Sequence, residues 1–217
     1  MIKAVIFDMD GLMVNTEPIQ SKGFELLLRE YGKKPIYNTN GLVHSVGKTG
    51  NCAELKVQYQ IEEELNILKQ KRQQYYQKLL KLEVVKPMAG LGKLLKLLKQ
   101  NNFKIAVGTV SLLEDINVIF PKLKILSYFD VFVTSEDVVN GKPAPDVYLK
   151  VAERLSLKPT ECLVLEDSES GVSAGKSAGM KVIAVPNKFT KHHNFSKADL
   201  IVKSLKSVDL SIINMLK

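Results

Sequence analysis

Seven polar residues lie in the segments that follow four short apolar runs of the sequence, and their types are those that chemistry on phosphate needs. They are Asp8, Asp10, Thr109, Ser111, Lys142, Glu166 and Asp167. Carboxylate oxygens are the ligands that Mg²⁺ prefers, and a magnesium site typically uses only a few of them. Lysine and hydroxyl groups can donate hydrogen bonds to phosphate oxygens. The set therefore indicates phosphoryl chemistry assisted by a bound magnesium ion.

The two aspartates after the first apolar run have complementary uses. A carboxylate can attack phosphorus and form a covalent aspartyl-phosphate. Asp10 lies two residues beyond Asp8, so it could protonate the leaving oxygen. Crowded carboxylates repel one another and need a cation or a lysine to stay ionised, a role open to Mg²⁺ and Lys142. Taken singly, each cluster would be interpreted as ordinary turn residues after a strand, whereas together they favour a catalytic site.

Five short apolar runs are the predicted strands that would position these residues. They comprise residues 2–7, 105–107, 131–133, 163–165 and 182–185. The runs are nearly continuous rather than alternating, which is typical of strands buried on both faces of a parallel sheet. Helical patterns separate the last four, so the sequence predicts a doubly wound α/β domain. Ligands bind outside the carboxyl ends of such strands, where the polar clusters would meet.

Four helices are predicted between or after these strands from their capping residues and apolar spacing. The first covers residues 91–100, and the second begins near a capping box formed by Ser111 and Glu114. The third begins at Pro145 and Asp146, and the fourth covers residues 171–178 and ends at Gly179. A proline is tolerated in the first turn of a helix, and a glycine commonly follows its end.

Residues 15–82 break the alternation of strands and helices. Thr16-Glu17-Pro18 is typical of a helix start, Gly32 of its end, and residues 61–82 form a long amphipathic pattern. We therefore expect two domains: an α/β core of residues 1–14 and 83–217, and an all-helical domain of residues 15–82 inserted after the first strand.

Four motifs of the sequence resemble those of the haloacid dehalogenase superfamily, in the same order and with matching spacing. They are Asp8-Met9-Asp10-Gly11-Leu12, Thr109, Gly141-Lys142-Pro143-Ala144-Pro145-Asp146 and Glu166-Asp167-Ser168-Glu169-Ser170-Gly171. The insert resembles the small C1-type cap of the β-phosphoglucomutase and sugar-phosphatase branch. The resemblance extends over essentially the whole chain and implies a Rossmann-like core, a helical cap and a requirement for Mg²⁺.

Carried over residue by residue, the resemblance makes Asp8 the nucleophile. It makes Asp10 the general acid and then the base, with its main-chain carbonyl on the metal. Thr109 and Lys142 would hold the transferring phosphoryl group. A dehalogenase would need neither a metal nor Asp10, so that residue favours phosphoryl transfer.

The remaining roles implied by the resemblance concern phosphate and metal binding. Gly11, Val110 and Ser111 stand where the family's main-chain and hydroxyl donors approach phosphate. Asp167, with Glu166 alongside, completes a magnesium site formed with Asp8 and Asp10. Which of Glu166 and Asp167 binds the metal directly is left open by the sequence.

Two activities of this branch remain open, and the sequence favours one. The leading interpretation is a phosphatase acting on a small phosphomonoester such as a sugar phosphate, and the alternative is a β-phosphoglucomutase-like isomerase. Gln20 stands where the mutase pattern has a histidine, and it cannot change its charge near neutral pH. Asn15 departs from the aspartate often found there, which concerns the hinge rather than the chemistry. Gln20, together with the lack of a residue that aligns with the mutase's cap arginine, favours the hydrolase.

Other interpretations have less support. A phosphoacceptor signalling module would also combine acidic residues, a hydroxyl and a lysine, but the insert and the Gly141–Asp146 motif argue against it. Gly47-Lys48-Thr49 lacks the first glycine of a phosphate-binding loop, and we interpret it, with His44 nearby, as a cap loop. His192 and His193 are expected on a surface loop.

Composition narrows the class of partner. The chain has 217 residues, with 31 basic and 23 acidic side chains and a formal net charge of +8. The excess is spread along the chain without a basic arm, so we expect an anionic small molecule rather than nucleic acid as partner. No apolar run reaches the length of a membrane span. Cys52 and Cys162 are expected to be free and buried, in a cytoplasmic protein that is a monomer or weak dimer.

Overall fold

The structure is a computed structural model that describes residues 1–38, 41–42 and 52–216. The predicted loop with His44 and Gly47-Lys48-Thr49 lies outside the described residues. The strands are β1 (Ala4–Phe7), β2 (Tyr37–Asn38), β3 (Gly41–Leu42), β4 (Lys104–Gly108), β5 (Val131–Val133), β6 (Cys162–Glu166), β7 (Lys181–Ala184) and β8 (Leu200–Ile201). The α-helices are α1 (Glu17–Glu30), α2 (Cys52–Gln58), α3 (Leu65–Leu82), α4 (Leu91–Gln100), α5 (Leu113–Leu123), α6 (Asp146–Leu155), α7 (Glu169–Ser177) and α8 (Leu210–Met215).

The chain forms two compact units. One consists of residues 1–15 and 86–217, and the other of residues 16–85. The first unit holds a six-stranded sheet with helices α4 to α8, and the second holds helices α1 to α3 with the short pair of β2 and β3.

The sheet of the first unit has the strand order β5-β4-β1-β6-β7-β8, and every neighbouring pair is parallel. Every residue of β1 and β6 is buried, as continuous apolar strands in the middle of such a sheet require. Phe7 at the end of β1 lies opposite Val107 on β4 and Leu165 on β6. The strand order reverses at β1, so residues that follow β1, β4 and β6 lie at a topological switch point.

The doubly wound α/β fold is confirmed, and so are the five predicted strands, with ends that move by one or two residues. The sequence analysis missed β8 (Leu200–Ile201), which pairs with β7 at the sheet edge. This strand has two residues and Ile201 is exposed, so it leaves neither an apolar run nor an alternation to detect.

Three predicted helices of this unit are confirmed: α4 at residues 91–100, α6, which begins directly after Pro145, and α7, which ends shortly before Gly179. Gly179 adopts a φ of +75°, which ends α7. The capping box predicted at Ser111 and Glu114 is wrong. Helix α5 begins at Leu113, and it is the Asp115 carboxylate that accepts the N–H of Leu112. The Ser111 hydroxyl instead donates to Asp10, 101 residues earlier in the chain. A long-range partner of this kind cannot be read from local spacing.

The second unit is built on the packing of α1 against α3. Phe24, Leu27 and Leu28 of α1 share a buried apolar cluster with Leu68 of α3. The unit is not purely helical, because β2 and β3 pair as a two-residue antiparallel ladder.

The long helix predicted from residue 61 begins at Leu65, because an unpredicted helix, α2, ends just before it. Gln60 adopts a φ of +50°, and the Ile61 N–H donates to the Lys56 carbonyl at 3.0 Å. These are the features of a Schellman motif, in which an apolar side chain beyond the helix end packs back on the helix. Ile61 is accordingly buried in the cluster with Leu55 of α2.

Cys52 and Cys162 are both free and buried, as predicted. Within the described ranges, every helix is too short or too polar to cross a membrane.

Candidate active site

The loop after β1 carries the first two predicted site residues. The Asp8 N–H donates to the Leu165 carbonyl at 3.1 Å, which continues the ladder between β1 and β6 and holds the Asp8 side chain in a buried position. Gly11 adopts a φ of +83°, and a Cβ atom there would collide with Oδ2 of Asp167. Only glycine provides both this conformation and this close approach. The loop therefore lies against the end of β6.

Lys142 joins three strand ends through one ammonium group. Its Nζ donates to Oδ1 of Asp8 at 2.5 Å, to Oε1 of Glu166 at 2.8 Å and to the Gly108 carbonyl at 3.0 Å. The lysine side chain is only 5% exposed, and those of the two carboxylates are 9% and 1% exposed. Three donors of an ammonium group thus have three protein acceptors in a site that excludes most water.

Glu166 is fully occupied by protein donors. Oε1 accepts from Lys142 and from the Tyr148 hydroxyl at 3.0 Å, while Oε2 accepts from the N–H and the hydroxyl of Ser168, both at 2.9 Å. The residue is completely buried. A buried carboxylate with four donors is a fixed negative charge that holds the lysine in place.

Tyr148 is a residue of this site that the sequence analysis missed. It lies in the first turn of α6, its hydroxyl bonds Glu166, and its ring centroid is 4.7 Å from Nζ of Lys142. Its position in the sequence could have identified Tyr148, because it follows Lys142 by six residues and lies in a helix whose start was predicted. An aromatic side chain there points at the sheet and at the preceding lysine.

Replacing Tyr148 with Phe is expected to lower kcat about tenfold and the free energy of unfolding by about 1–2 kcal/mol, because Glu166 loses one of its four donors. The ring beneath Lys142 would remain. Steady-state kinetics and urea denaturation measure the two effects. Replacement with Leu, which also removes the ring, should be worse in both. Equal activity of the wild type and the Phe variant would show that the hydroxyl does not support the site.

The Glu166 carboxylate leaves no space for a side chain at position 171, so this position requires glycine. It lies in the first turn of α7, where its N–H donates to the Ser168 hydroxyl at 3.1 Å. A Cβ atom at this position would overlap the Glu166 carboxylate. The glycine of the Glu166–Gly171 motif is therefore explained by close packing and not by its backbone conformation.

We expect Gly171→Ala to lower the free energy of unfolding by about 3 kcal/mol, since overpacking at a fixed buried group cannot relax easily. Gly92→Ala is the matched control, because a Cβ atom at Gly92 in α4 meets nothing within 4 Å. The control should be neutral or stabilising by up to about 1 kcal/mol. Urea denaturation compares the two, and equal stabilities would contradict the packing described here.

Asp167 is oriented by Asn187, a second residue that the sequence analysis missed. The Asn187 amide donates to Oδ2 of Asp167 at 2.7 Å and to the Gly11 carbonyl at 3.1 Å. It thereby ties the loop after β1 to the end of β6. Asn187 follows β7 by three residues, a place in the sheet that could have marked it as a candidate.

The end of β4 contributes hydroxyl groups. Oγ1 of Thr109 accepts the N–H of Ser111 at 3.1 Å, and the Ser111 hydroxyl donates to Oδ2 of Asp10. Thr109 and Ser111 are buried. A Cβ atom at Gly141 would lie 3.6 Å from Val110, which places the segment after β4 beside that of Lys142. The structure therefore brings the predicted site residues together at one edge of the sheet.

The electrostatics distinguish the two carboxylates that share Lys142. Burial raises the pKa of Asp8 to about 7, opposed by Lys142 and reinforced by Glu166. Burial acts in the same direction on Glu166, but Lys142 and the Ser168 donors outweigh it and hold that pKa below its usual value. Burial would lower the pKa of Lys142, but the two carboxylates raise it well above the usual range. Lys142 is thus a permanent cation, and Asp8 is the less stabilised of the two carboxylates.

The donor set at this edge fits a magnesium ion. Asp8 and Asp167 offer carboxylate oxygens from neighbouring strand ends, and Asn187 fixes the orientation of the second. In the part of the chain that is described, no three His, Cys, Asp or Glu side chains form a metal-binding group. Mg²⁺ is typically held by one or two carboxylates and retains several waters, so the carboxylates of Asp8 and Asp167 are sufficient ligands for it.

The chain belongs to the haloacid dehalogenase-like hydrolase family, whose model matches residues 5–185. It is 34% identical over 182 residues to a phosphorylated carbohydrates phosphatase of Thermotoga maritima, covering 84% of each chain. It is 27% identical to the β-phosphoglucomutase of Bacillus subtilis, covering 98% of this chain and 94% of that one.

A solved structure has the same fold. CbbY from Rhodobacter sphaeroides, crystallised with phosphate, superposes with a TM-score of 0.85 at 23% identity, covering 99% of this chain and 100% of that one. The resemblance inferred from the four motifs is confirmed by these comparisons.

Proposed function

We propose that this hydrolase is a magnesium-dependent phosphatase that cleaves a small phosphomonoester, such as a sugar phosphate, through an aspartyl-phosphate on Asp8. The observation that carries the proposal is the Lys142 ammonium group, which bridges Asp8 and Glu166 at a buried switch point. A permanent cation touching a carboxylate is suited to holding a phosphoryl group against that carboxylate. The phosphatase name of the Thermotoga maritima relative supports the same activity.

In the proposed reaction, the free lone pair of Asp8 attacks phosphorus while Asp10 gives a proton to the leaving oxygen. Asp10 then takes a proton from the water that hydrolyses the aspartyl-phosphate. The Ser111 hydroxyl holds Oδ2 of Asp10, so the carboxyl group that transfers protons keeps one orientation. Thr109, Val110, Gly11 and Lys142 would donate to or line the space for the phosphoryl oxygens.

We assign the metal to Asp8, Asp167 and the main-chain carbonyl of Asp10. Both oxygens of Glu166 already accept from protein donors, so we propose that this residue serves Lys142 and not the metal directly. Bound Mg²⁺ would neutralise charge on the phosphoryl oxygens. The assignment of residues 15–82 as a cap that selects the substrate remains a prediction.

The β-phosphoglucomutase-like isomerase is the second candidate, supported by the similarity to the Bacillus subtilis mutase. Gln20 favours the phosphatase, because an amide cannot take up or release a proton near neutral pH. The two activities differ in product. A phosphatase releases inorganic phosphate from hexose phosphates, and a mutase converts β-glucose 1-phosphate into glucose 6-phosphate.

A panel of phosphorylated metabolites, assayed for phosphate release with Mg²⁺ and with EDTA, tests the proposal. We expect at least one sugar phosphate to be hydrolysed and EDTA to lower the rate by about 100-fold or more, since the metal stabilises developing charge at phosphorus. Adding excess Mg²⁺ back should restore the rate. Activity that survives EDTA would contradict the metal assignment. Formation of glucose 6-phosphate without phosphate release would establish the isomerase.

A further inference from the structure

The unit of residues 1–15 and 86–217 contains a cavity that the proposed reaction does not use. Its volume is about 370 Å³, within the range of roughly 300–1,000 Å³ that is typical of small-molecule sites. It is lined from four segments, within residues 11–15, 88–89, 185–189 and 203–205. The described lining residues include Asn187 but neither Lys142 nor any carboxylate of the candidate active site. We call this space the Asn187 cavity.

The walls of the Asn187 cavity are held by the fold. The Met88 N–H donates to the Met13 carbonyl at 2.8 Å, which pairs two of the four lining segments. Gly90 lies so close to the segment after β8 that a Cβ atom there would collide with the main chain of Lys206. The space therefore exists before a ligand enters, and binding would not require a loop to be ordered first.

The wall that follows β7 is fixed by the side chain of Asn187. Its Oδ1 accepts the N–H of Phe189 at 2.7 Å and that of Thr190 at 3.2 Å. Its own N–H donates to the Thr190 hydroxyl at 3.0 Å, and its amide group donates to Asp167 and to the Gly11 carbonyl. A ligand in the cavity would therefore lie against a residue that supports the candidate magnesium site.

The lining combines an apolar wall with two lysines. Lys188 and Lys203 are exposed, and neither makes an ion pair with any residue that the structure describes. The Lys188 ammonium group lies 4.5 Å from the centroid of the Phe189 ring, which favours its position beside the cavity. None of the described lining side chains is acidic. The buried apolar side chains of the wall are Leu12, Val185, Phe189 and Leu205.

We propose that the Asn187 cavity binds a small organic anion with an apolar body, such as an aromatic carboxylate. The rings pack on Leu12, Phe189 and Leu205, and the anionic group pairs with Lys188 and Lys203. A bare inorganic anion would leave the apolar wall in contact with water, and a neutral ring would leave both lysines without an opposite charge. The site is additional to the one proposed for the phosphomonoester, because it contains none of the groups that would act on phosphorus.

Nuclear magnetic resonance of ¹³C-labelled methionine methyl groups tests the site, because Met88 lines the cavity and the chain has only six methionines. The full-length protein would be titrated with 2-naphthoate in EDTA, so that the result does not depend on the metal assignment. We expect the Met88 signal, assigned with Met88→Leu, to move and saturate and to show nuclear Overhauser effects with the probe's rings. Met1 and Met215 are exposed and do not line the cavity, so their signals should stay in place.

Two further probes and two variants separate the parts of the ligand. The neutral 2-naphthamide should bind about five- to tenfold more weakly, because it lacks the charge that pairs with two exposed lysines. Acetate should leave the Met88 signal in place. Lys203→Gln should weaken 2-naphthoate binding about two- to fivefold. Lys206→Gln is the matched control, since Lys206 is exposed in the same part of the chain but does not line the cavity.

The proposal is overturned if 2-naphthoate leaves the Met88 signal in place, or moves the signals of Met1 and Met215 as much. Equal affinity for 2-naphthoate and 2-naphthamide would show that the lysines do not recognise an anion. Saturation by acetate would show that the apolar wall is not used. A loss of affinity in Lys206→Gln as large as that in Lys203→Gln would attribute the effect to the net charge of the protein, against a built site.

Discussion

Asp8→Asn should abolish turnover while leaving the fold intact. We expect a loss of at least about 10⁴-fold in kcat, because an amide cannot attack phosphorus and the covalent step has no substitute. Asparagine has nearly the shape of aspartate, and Lys142 would keep its contacts with Glu166 and the Gly108 carbonyl. The fold should tolerate the change, since burial already disfavours the charge on Asp8 and raises its pKa to about 7.

Phosphate release measures the loss, and urea denaturation measures the stability of the same preparation. Asp209→Asn is the matched control. Asp209 accepts the Ile212 N–H at 3.0 Å at the start of α8, and asparagine caps helices equally well. The control should retain both activity and stability. Substantial turnover by the Asp8→Asn variant would remove Asp8 from the role of nucleophile.

Lys142→Met should damage both activity and stability. The variant leaves the buried Asp8 and Glu166 without their shared cation, and removing one partner of a buried ion pair typically costs about 3–5 kcal/mol. We expect kcat to fall by about 10³-fold or more, since the group that would stabilise the transferring phosphoryl charge is lost. Lys150→Met is the control, because that lysine pairs with Glu153 at the surface, where such pairs contribute little.

The loss of stability in Lys142→Met should depend on pH. Lys142 lowers the pKa of Asp8, whereas burial and Glu166 raise it, so its removal moves the folded-state pKa upward from about 7. A carboxyl group whose pKa is raised by folding makes the protein less stable as the pH rises from its unfolded-state pKa to its folded-state pKa, and a higher folded-state pKa extends that loss to higher pH. Urea denaturation should therefore show a larger deficit at pH 8 than at pH 5. An equal loss of stability at pH 5 and pH 8 would mean that ionisation of the buried carboxylates does not cause it.

The sequence was sufficient to predict five of the six strands of the sheet and the meeting of polar residues at one of its edges, because both depend on local patterns. Continuous apolar runs such as residues 163–165 identify buried parallel strands, and polar residues at their ends meet by topology alone. Asp8 and Glu166 required no knowledge of side-chain contacts to be placed at the same edge, since β1 and β6 pair in register.

The features that the sequence analysis missed depend on partners far apart in the chain. Tyr148 contacts Glu166 across 18 residues, and Asn187 contacts the Gly11 carbonyl across 176. Ser111 and Glu114 match the sequence pattern of a capping box, but the Ser111 hydroxyl donates a hydrogen bond to Asp10 and does not cap the helix. Spacing along the chain could assign these residues to particular strands, helices or loops. Only the packed fold determines which of several possible hydrogen-bond partners each side chain has.

Trapping the covalent intermediate tests the central proposal most directly. The enzyme would be quenched during turnover of a substrate found in the panel, and borohydride would reduce any aspartyl-phosphate to homoserine before peptide mass analysis. We predict homoserine at position 8, absent without substrate and absent from Asp8→Asn. Homoserine at another aspartate, or unmodified Asp8 in enzyme quenched at full turnover, would contradict the proposed reaction.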